Sequence, residues 1–525
     1  MINVIVLGSN LLAEENTQIK SPSPEIRTPK PSPAAKINGP SVFGVRPGNP
    51  FLYQIPATGN RPMLFSVGNL PAGLTLDADT GRITGTIKKA GEYTVTLQAK
   101  NELGKDEKKF KIFVGETIAL TPPMGWNSWN AYKATVTGQN VIRAARAMVS
   151  TGLINHGWSY VNIDDAWQDK RGGEFNAIQP NEKFPDIHKM CDEIHAMGLK
   201  VGIYSTPWTT SYAKYIGGSS DDPNGIWTQK QRFYRGKISF AENDAKQWAK
   251  WGIDYLKYDW NPKSTKPNAD SPEQFYKDVE TMAKALQTCG RDVVYSYSNS
   301  MPYEEIEKAS ALLNCWRTTG DIEDTWKSVR HKAFYIDVPK TAPDDAPLPA
   351  PSDKWAAYCK PGRWNDPDMM VIGVVNFDNY QHPTRLTPDE QYLHITQWCM
   401  AAAPLLLGCD LDQLDDFTMN LITNDEVLAV SQDSLAKQAT LAGNENNTLL
   451  VYVRDLEDGS KAVALYNLGS QTAQVIAKWT DLKINGKYKV RDLWRQKDLG
   501  EFEEKFSMPV APHGAEMFKL MPATK

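Results

Sequence analysis

Three rhythms of apolar and polar residues succeed one another along the 525-residue chain. Between residues 38 and 115 the two kinds alternate, as in Phe51-Leu52-Tyr53-Gln54-Ile55, Gly91-Glu92-Tyr93-Thr94-Val95-Thr96-Leu97 and Lys109-Phe110-Lys111-Ile112-Phe113-Val114. Turn residues such as Asp79-Thr80-Gly81 separate these runs. A period of two with frequent turns predicts a small β-sandwich. From Thr121 to about Val427 the rhythm becomes helix, glycine, buried strand, repeated. Val141, Ala144, Ala145 and Met148 fall at helical spacing. So do Ile187, Met190, Cys191 and Ile194, with Asp186 placed as N-cap and Gly198 as C-cap, and Ala245, Trp248 and Ala249 before Gly252. The strand candidates are Met124–Trp129, Tyr160–Asp165, Lys200–Ser205, Tyr255–Asp259, Val293–Ser298, Cys315–Asp321, Trp364–Met370 and Leu405–Asp410. Eight alternating units predict an α/β fold closed as a (β/α)8 TIM barrel. An open doubly wound sheet is the alternative, disfavoured because no G-x-G-x-x-G opens any of these helices. After residue 430 the alternation returns, in Thr448–Val453 and Lys461–Tyr466, and predicts a C-terminal antiparallel β-sandwich.

These shifts divide the chain into a tail and Pro-rich linker (1–37), an N-terminal β-sandwich (38–116), the barrel (117–428) and the C-terminal sandwich (429–525). Residues 21–35, SPSPEIRTPKPSPAA, predict an extended linker. The segment Leu70-Pro71-Ala72-Gly73-Leu74 followed by Thr80-Gly81-Arg82-Ile83-Thr84-Gly85 resembles the immunoglobulin-like modules attached to secreted bacterial enzymes. Its expected role is spacing or packing.

Composition narrows function mainly by exclusion. Net charge is −4, from 58 basic and 62 acidic residues, so nothing points to a nucleic-acid partner. Six scattered cysteines form no C-x-x-C pair and seven histidines form no H-E-x-x-H, so neither a metal nor another cofactor is expected. No apolar run reaches the roughly 18 residues of a membrane span. Met1 to Ala13 is mildly apolar without a basic start, and reads as a trimmed export signal or a tail. A secreted or periplasmic location is the expectation. Sixteen Trp and 21 Tyr supply flat rings suited to sugars, although large proteins bury many aromatics in any case.

The chemistry concentrates at the strand ends, where a (β/α)8 barrel carries its active site. In Tyr255-Leu256-Lys257-Tyr258-Asp259-Trp260 the residues Lys257 and Asp259 share one face of a strand. A buried acid beside a lysine should stay ionised, as a nucleophile requires, though a structural ion pair would read the same way. The other strand ends bring Trp129, Asp164 with Asp165, Tyr204, Ser298, Arg317 with Asp321, and Asp366 with Asp368. Charges at buried strand ends pair or bind something. Asp321 could equally cap the helix that follows it, and Asn365-Asp366-Pro367-Asp368 is also good turn chemistry, with Asp366 the more structural of its acids. No G-x-S-x-G, reactive cysteine context or phosphate-cradling loop competes with carboxylate chemistry.

At these residues the chain resembles glycoside hydrolase family 27, the α-galactosidase and α-N-acetylgalactosaminidase group. The motifs are Thr121-Pro122-Pro123-Met124-Gly125-Trp126-Asn127-Ser128-Trp129, Ile163-Asp164-Asp165-Ala166-Trp167, Gly198-Leu199-Lys200-Val201-Gly202-Ile203-Tyr204, Lys257-Tyr258-Asp259, Trp316-Arg317 through Asp321, and Trp364 to Met369, in family order. The resemblance implies a retaining exo-glycosidase with Asp259 as nucleophile and Asp321 as acid/base, their carboxyl groups about 5–5.5 Å apart. It implies that Trp129, Asp164, Asp165, Tyr204, Lys257, Arg317 and Asp368 contact the terminal sugar, the paired aspartates at its 4- and 6-hydroxyls. Where α-galactosidases usually read Cys-Glu-Trp, this chain reads Tyr297-Ser298-Asn299; Ser298 replaces the glutamate that contacts the 2-hydroxyl, as in α-N-acetylgalactosaminidases. Their other small residue is Met301 here, and the usual cysteine pair near strands three and four is absent. Loops 208–240 and 338–363 look long and are expected at the pocket rim. Isomalto-dextranase and β-L-arabinopyranosidase specificities, transglycosylation, and non-catalytic carbohydrate binding remain the alternatives. Lys257 is expected to keep Asp259 charged; Asp321 is expected to have a raised pKa, with Asp368 neutralising Arg317.

Overall fold

The computed structural model describes residues 24–228, 230–262, 271–336 and 348–523. The expectation for Met1–Ala13, the start of the Pro-rich segment and part of loop 338–363 therefore lie outside the described residues.

The eight expected barrel strands are all present, several shorter than their apolar runs: β1 (Met124–Asn127), β2 (Tyr160–Asn162), β3 (Lys200–Ser205), β4 (Ile253–Asp259), β5 (Val294–Ser298), β6 (Cys315–Arg317), β7 (Trp364–Asp366) and β8 (Leu405–Leu407). They pair in parallel in the order β7-β6-β5-β4-β3-β2-β1-β8. The ring closes just past β7, where Met370 bridges Leu407 and its N–H donates to Leu406 O at 2.8 Å. The helices between strands follow the expected spacing. Gly138–Ser150 buries Val141, Ala144, Ala145 and Met148 and starts in a capping box between Thr137 and Asn140. Such a cap contributes about 1 kcal/mol. Ile187–Ala196 is capped by Asp186, and Ala241–Trp251 stops at Gly252 with φ +94°. A Cβ on Gly252 would lie 2.8 Å from the His195 ring, so the position needs glycine twice over. No described helix is long and apolar enough to cross a membrane.

The N-terminal sandwich has a four-stranded sheet ordered Val42–Val45, Gly104–Val114, Gly91–Asn101, Leu64–Gly68 and a three-stranded sheet ordered Pro50–Gln54, Arg82–Thr86, Leu74–Asp77. It seats on the barrel's N-terminal face. Arg46 and Asn49 bond Asp292 just before β5, and the Lys200 ammonium at the start of β3 lies 4.5 Å from the Phe43 ring and 5.3 Å from that of Tyr160. The C-terminal sandwich pairs a six-stranded with a two-stranded sheet, and the six-stranded sheet packs against the barrel helix Pro388–Met400. Past its first two residues that helix has no solvent face: Glu390 through Met400 are all buried.

Residues 24–35 hold no helix or strand, yet they are not a free linker. Arg27 lies 4.0 Å over the Tyr392 ring and pairs with Asp389 at 3.0 Å and Glu516 at 3.3 Å. Thr28 bonds Asn420 through its N–H and its hydroxyl. The segment straps the barrel to the C-terminal sandwich. Arg27→Ala should therefore lower stability by about 1–3 kcal/mol, because buried Glu516 loses one of its two guanidinium partners. A urea midpoint equal to that of the parent would remove the strap's energetic role.

Candidate active site

The pleat of β4 turns Tyr258 outward onto Trp260 and Tyr295 and leaves Lys257 and Asp259 facing the barrel mouth. Parallel register sets Tyr204 of β3 beside Lys257, and Ser298 of β5 beside Asp259. The Lys257 ammonium does not go to Asp259. It reaches across β3 to Asp164 Oδ2 at 2.8 Å, where that acid, after β2, is already fixed by the Asp165 N–H on its other oxygen. Asp259 takes the Tyr204 hydroxyl on Oδ2 at 3.1 Å and the Asn299 amide on Oδ1.

On the facing side Arg317, at the end of β6, is buried and forks toward three oxygens: Asp368 Oδ2 at 2.8 Å, Thr319 O at 3.1 Å and Asp321 Oδ1 at 3.3 Å. Asp321 caps no helix, because Trp326–Phe334 starts from Thr325. Water reaches 85% of the Asp321 side chain, whereas Asp259 is 8% exposed. Asp368 holds a left-handed backbone at φ +107°, which costs a non-glycine residue about 1–3 kcal/mol. It is pinned there by bonds from its N–H to Asp366 Oδ1, from the Met369 and Ile322 N–H groups to its carboxylate, and from the Trp398 indole to its carbonyl.

The electrostatics reverse the expected assignment. Burial, with repulsion from Asp321 and Asp164, pushes the Asp259 carboxyl up to about 7 against the opposing pull of Lys257 and the Tyr204 bond. Desolvation in the cleft pushes Asp321 up too, but the Arg317 and Lys257 charges outweigh it and hold the group below the usual carboxylate range. Asp368 does pair with Arg317 as expected, without cancelling its pull on Asp321. Lys257 stays charged although buried, because Asp164 and Asp259 outweigh its desolvation.

Trp129 opens a short helical turn after β1, half-buried, with the Lys133 ammonium 5.6 Å from its ring. Ser298 is buried beside Asp259. Asp165 departs from its expected place as an open sugar contact. Its Oδ1 accepts from the Ala166 N–H and the Gln168 amide, and its Oδ2 from the Ala213 N–H at 2.8 Å, with the Ser211 hydroxyl bonded as well. At 1% exposure it anchors the loop after β3. That loop carries Tyr212 into the site, packed between Trp208 and Phe233 at 5.3 and 5.8 Å. Tyr212, Asn299 and Lys133 were not singled out from the sequence; only Asn299, a left-handed-tolerant residue ending a strand, carried a signal. Among the described residues no cluster could hold a metal ion, and every cysteine is free.

A family model described as Alpha galactosidase A matches residues 121–433, one described as Alpha galactosidase C-terminal beta sandwich domain matches 446–520, and "Putative Ig domain" matches 33–115. The chain belongs to glycoside hydrolase family 27. Alpha-galactosidase 2 of Arabidopsis thaliana is 34% identical over 78% of this chain and 92% of its own. A solved Bacteroides fragilis structure, described as a putative alpha-galactosidase/melibiase, is 31% identical with a TM-score of 0.80, covering 94% of this chain and all of that one. A family 27 β-L-arabinopyranosidase from Geobacillus stearothermophilus, solved with arabinose, is 26% identical with a TM-score of 0.64 over 77% and 98% of the two chains.

In this family 27 chain Asp165→Asn should cost about 1–3 kcal/mol, since an amide N–H would then face a backbone N–H. Limited proteolysis should cut the 206–240 loop faster than in the parent. An unchanged cutting rate and melting temperature would show that the loop does not depend on Asp165.

Proposed function

We propose that the protein is a retaining exo-glycosidase that removes terminal α-galactosyl-type residues from oligo- or polysaccharides. The observation that carries this reading is the pair Asp259 and Asp321, one desolvated and one open to water, which repel each other across the cleft at the barrel mouth. Asp259 attacks the anomeric carbon while Asp321 gives its proton to the leaving oxygen, and the glycosidic bond breaks. Asp321 then takes a proton from water, whose oxygen attacks the same carbon and releases Asp259 as a carboxylate. Proton transfer from such a group contributes roughly 10²–10⁴-fold.

Before substrate binds, the pair holds one proton below about pH 7, mainly on Asp259. A sugar that covers Asp321 strips its water and shifts that proton onto it, leaving Asp259 charged for attack. The titration belongs to the pair. Above about 7 the last proton leaves and no acid remains, so kcat/KM should fall there. It should fall again only at strongly acid pH, where a second proton neutralises the nucleophile.

One observation favours a second specificity. Asp165 already accepts three hydrogen bonds from the protein, which leaves it less free for a sugar hydroxyl and suits a pentopyranoside, which carries one hydroxyl fewer, such as a β-L-arabinopyranoside. A secreted or periplasmic setting is proposed because polysaccharides are met outside the cytoplasm.

A chromogenic panel of α-galactoside, β-L-arabinopyranoside, α-N-acetylgalactosaminide and α-glucoside tests the reading. Turnover of the first two is expected, with release of the sugar in its starting configuration. Asp259→Asn should abolish turnover in a folded protein, and normal activity in that variant would refute the nucleophile. Asp321→Asn should spare activated leaving groups; equal losses on activated and unactivated glycosides would refute the acid. No turnover on any glycoside would leave a carbohydrate-binding protein.

A further inference from the structure

The seam between the N-terminal sandwich and the barrel encloses a cavity of about 120 Å³ that the catalytic chemistry does not use. Phe43 and Leu52 line it from the sandwich, Ile118 from the connecting segment, and Tyr160 and Lys200 from the barrel floor. Exposed Pro50 stands at its edge. Lys200 opens β3, at the end of that strand remote from the catalytic mouth. Along an extended strand it lies roughly 13 Å from Tyr204. Its ammonium sits in the gap itself, 4.5 Å from the Phe43 ring on one wall and 5.3 Å from the Tyr160 ring on the other.

Two polar groups at this seam lack partners. Among the described residues, neither the Lys200 ammonium nor the hydroxyl of Tyr160, which is only 8% exposed, makes a hydrogen bond or a carboxylate ion pair. Buried polar groups are hydrogen-bonded as a rule, so such exceptions call for a partner. The neighbouring acids are committed elsewhere. Asp254 Oδ1 accepts from Arg291, and its Oδ2 from the Val201 N–H and the His195 ring. Asp292 accepts from Arg46 and Asn49. Glu116, 87% exposed, reaches only the outer edge of Arg46 at 3.8 Å. Arg46, Arg291 and Lys200 are thus three cations sharing two shielded carboxylates. Burial pushes the Tyr160 phenol up and makes it a fixed donor. It pulls the Lys200 ammonium down against Asp254 and Asp292, and an anion in contact would restore the charge.

We propose that this cavity binds a small monocarboxylate, whose carboxylate accepts from Lys200 and Tyr160 and whose short alkyl chain lies on Phe43, Leu52 and Ile118. One water needs roughly 10–15 Å³ of such space, so a molecule of about six heavy atoms fits. An inorganic anion would satisfy the two donors and leave the apolar walls wet. Because the walls come from both units, the bound carboxylate fastens the sandwich to the barrel floor. The site lies apart from the carboxylate pair of the hydrolase reading, and its test needs no turnover.

Sodium butyrate is the probe. Equilibrium dialysis of the full chain against labelled butyrate, at constant ionic strength, should show one saturable site, and the melting temperature should rise with butyrate concentration. Acetate should bind roughly tenfold more weakly, because it buries two methylenes fewer. Neither chloride nor n-butanol, the uncharged analogue of the chain, should raise the melting temperature at matched concentration. Lys200→Met, which keeps the apolar stem, should weaken butyrate roughly tenfold or more, and Tyr160→Phe, which removes one oxygen, roughly three- to tenfold. Lys257→Met, at the catalytic mouth, should leave butyrate binding unchanged. Absence of saturable butyrate binding overturns the inference. So does binding that survives in folded Tyr160→Phe and Lys200→Met alike, or that is lost in folded Lys257→Met. Acetate bound as tightly as butyrate would show a bare charge contact and overturn it too.

Discussion

A carboxylate taken out of water at the mouth of the barrel is the constraint around which the site is arranged. Asp259 is buried, faces two other acids and, among the described residues, receives no direct bond from a cation. It is tolerable there because two neutral donors, the Tyr204 hydroxyl and the Asn299 amide, occupy its two oxygens. The nearest ammonium, Lys257, is committed to Asp164 and acts on Asp259 only through space. Moving that charge one residue's width away leaves the acid able to exchange a proton near neutrality. A direct ion pair would hold it permanently charged.

The opposite wall obeys a complementary logic. Arg317 is fully committed to Asp368 and only partly to Asp321, and Asp368 is locked in a strained backbone by four separate bonds. Strain kept in place by overlapping bonds gives a fixed cation, and a fixed cation gives Asp321 a response that depends on whether water or sugar fills the cleft. The loop after β3 belongs to the Asp259 wall, since Asp165 after β2 anchors it at one point and Tyr212 brings it beside the ends of β4 and β5 at another.

Much of this was legible in the residues themselves. Eight buried apolar runs gave eight strands because each run had to pack inside a ring covered by helices, and the pleat of β4 placed Lys257 and Asp259 on one face. What sequence spacing could not supply was reach. Whether a lysine's long stem turns to Asp259 or crosses a strand to Asp164 is decided by the register of β2, β3 and β4 together. The saturation of Asp165 depends on Ala213, 48 residues later, and Tyr212 arrives on an irregular loop that no periodicity announces. The helix Pro388–Met400 likewise showed no single apolar face, because two units cover it from both sides.

The strap at Arg27 bears on how the chain matures. Arg27 is made early in synthesis, while its contacts Ala515 and Glu516 lie 488 residues and more downstream. Contacts that distant close only after residues 515 and 516 have emerged, so the barrel can begin to form without this fastening. The strap is then a late seam, and the catalytic and C-terminal units stay unlatched at this point until Ala515 and Glu516 have been made.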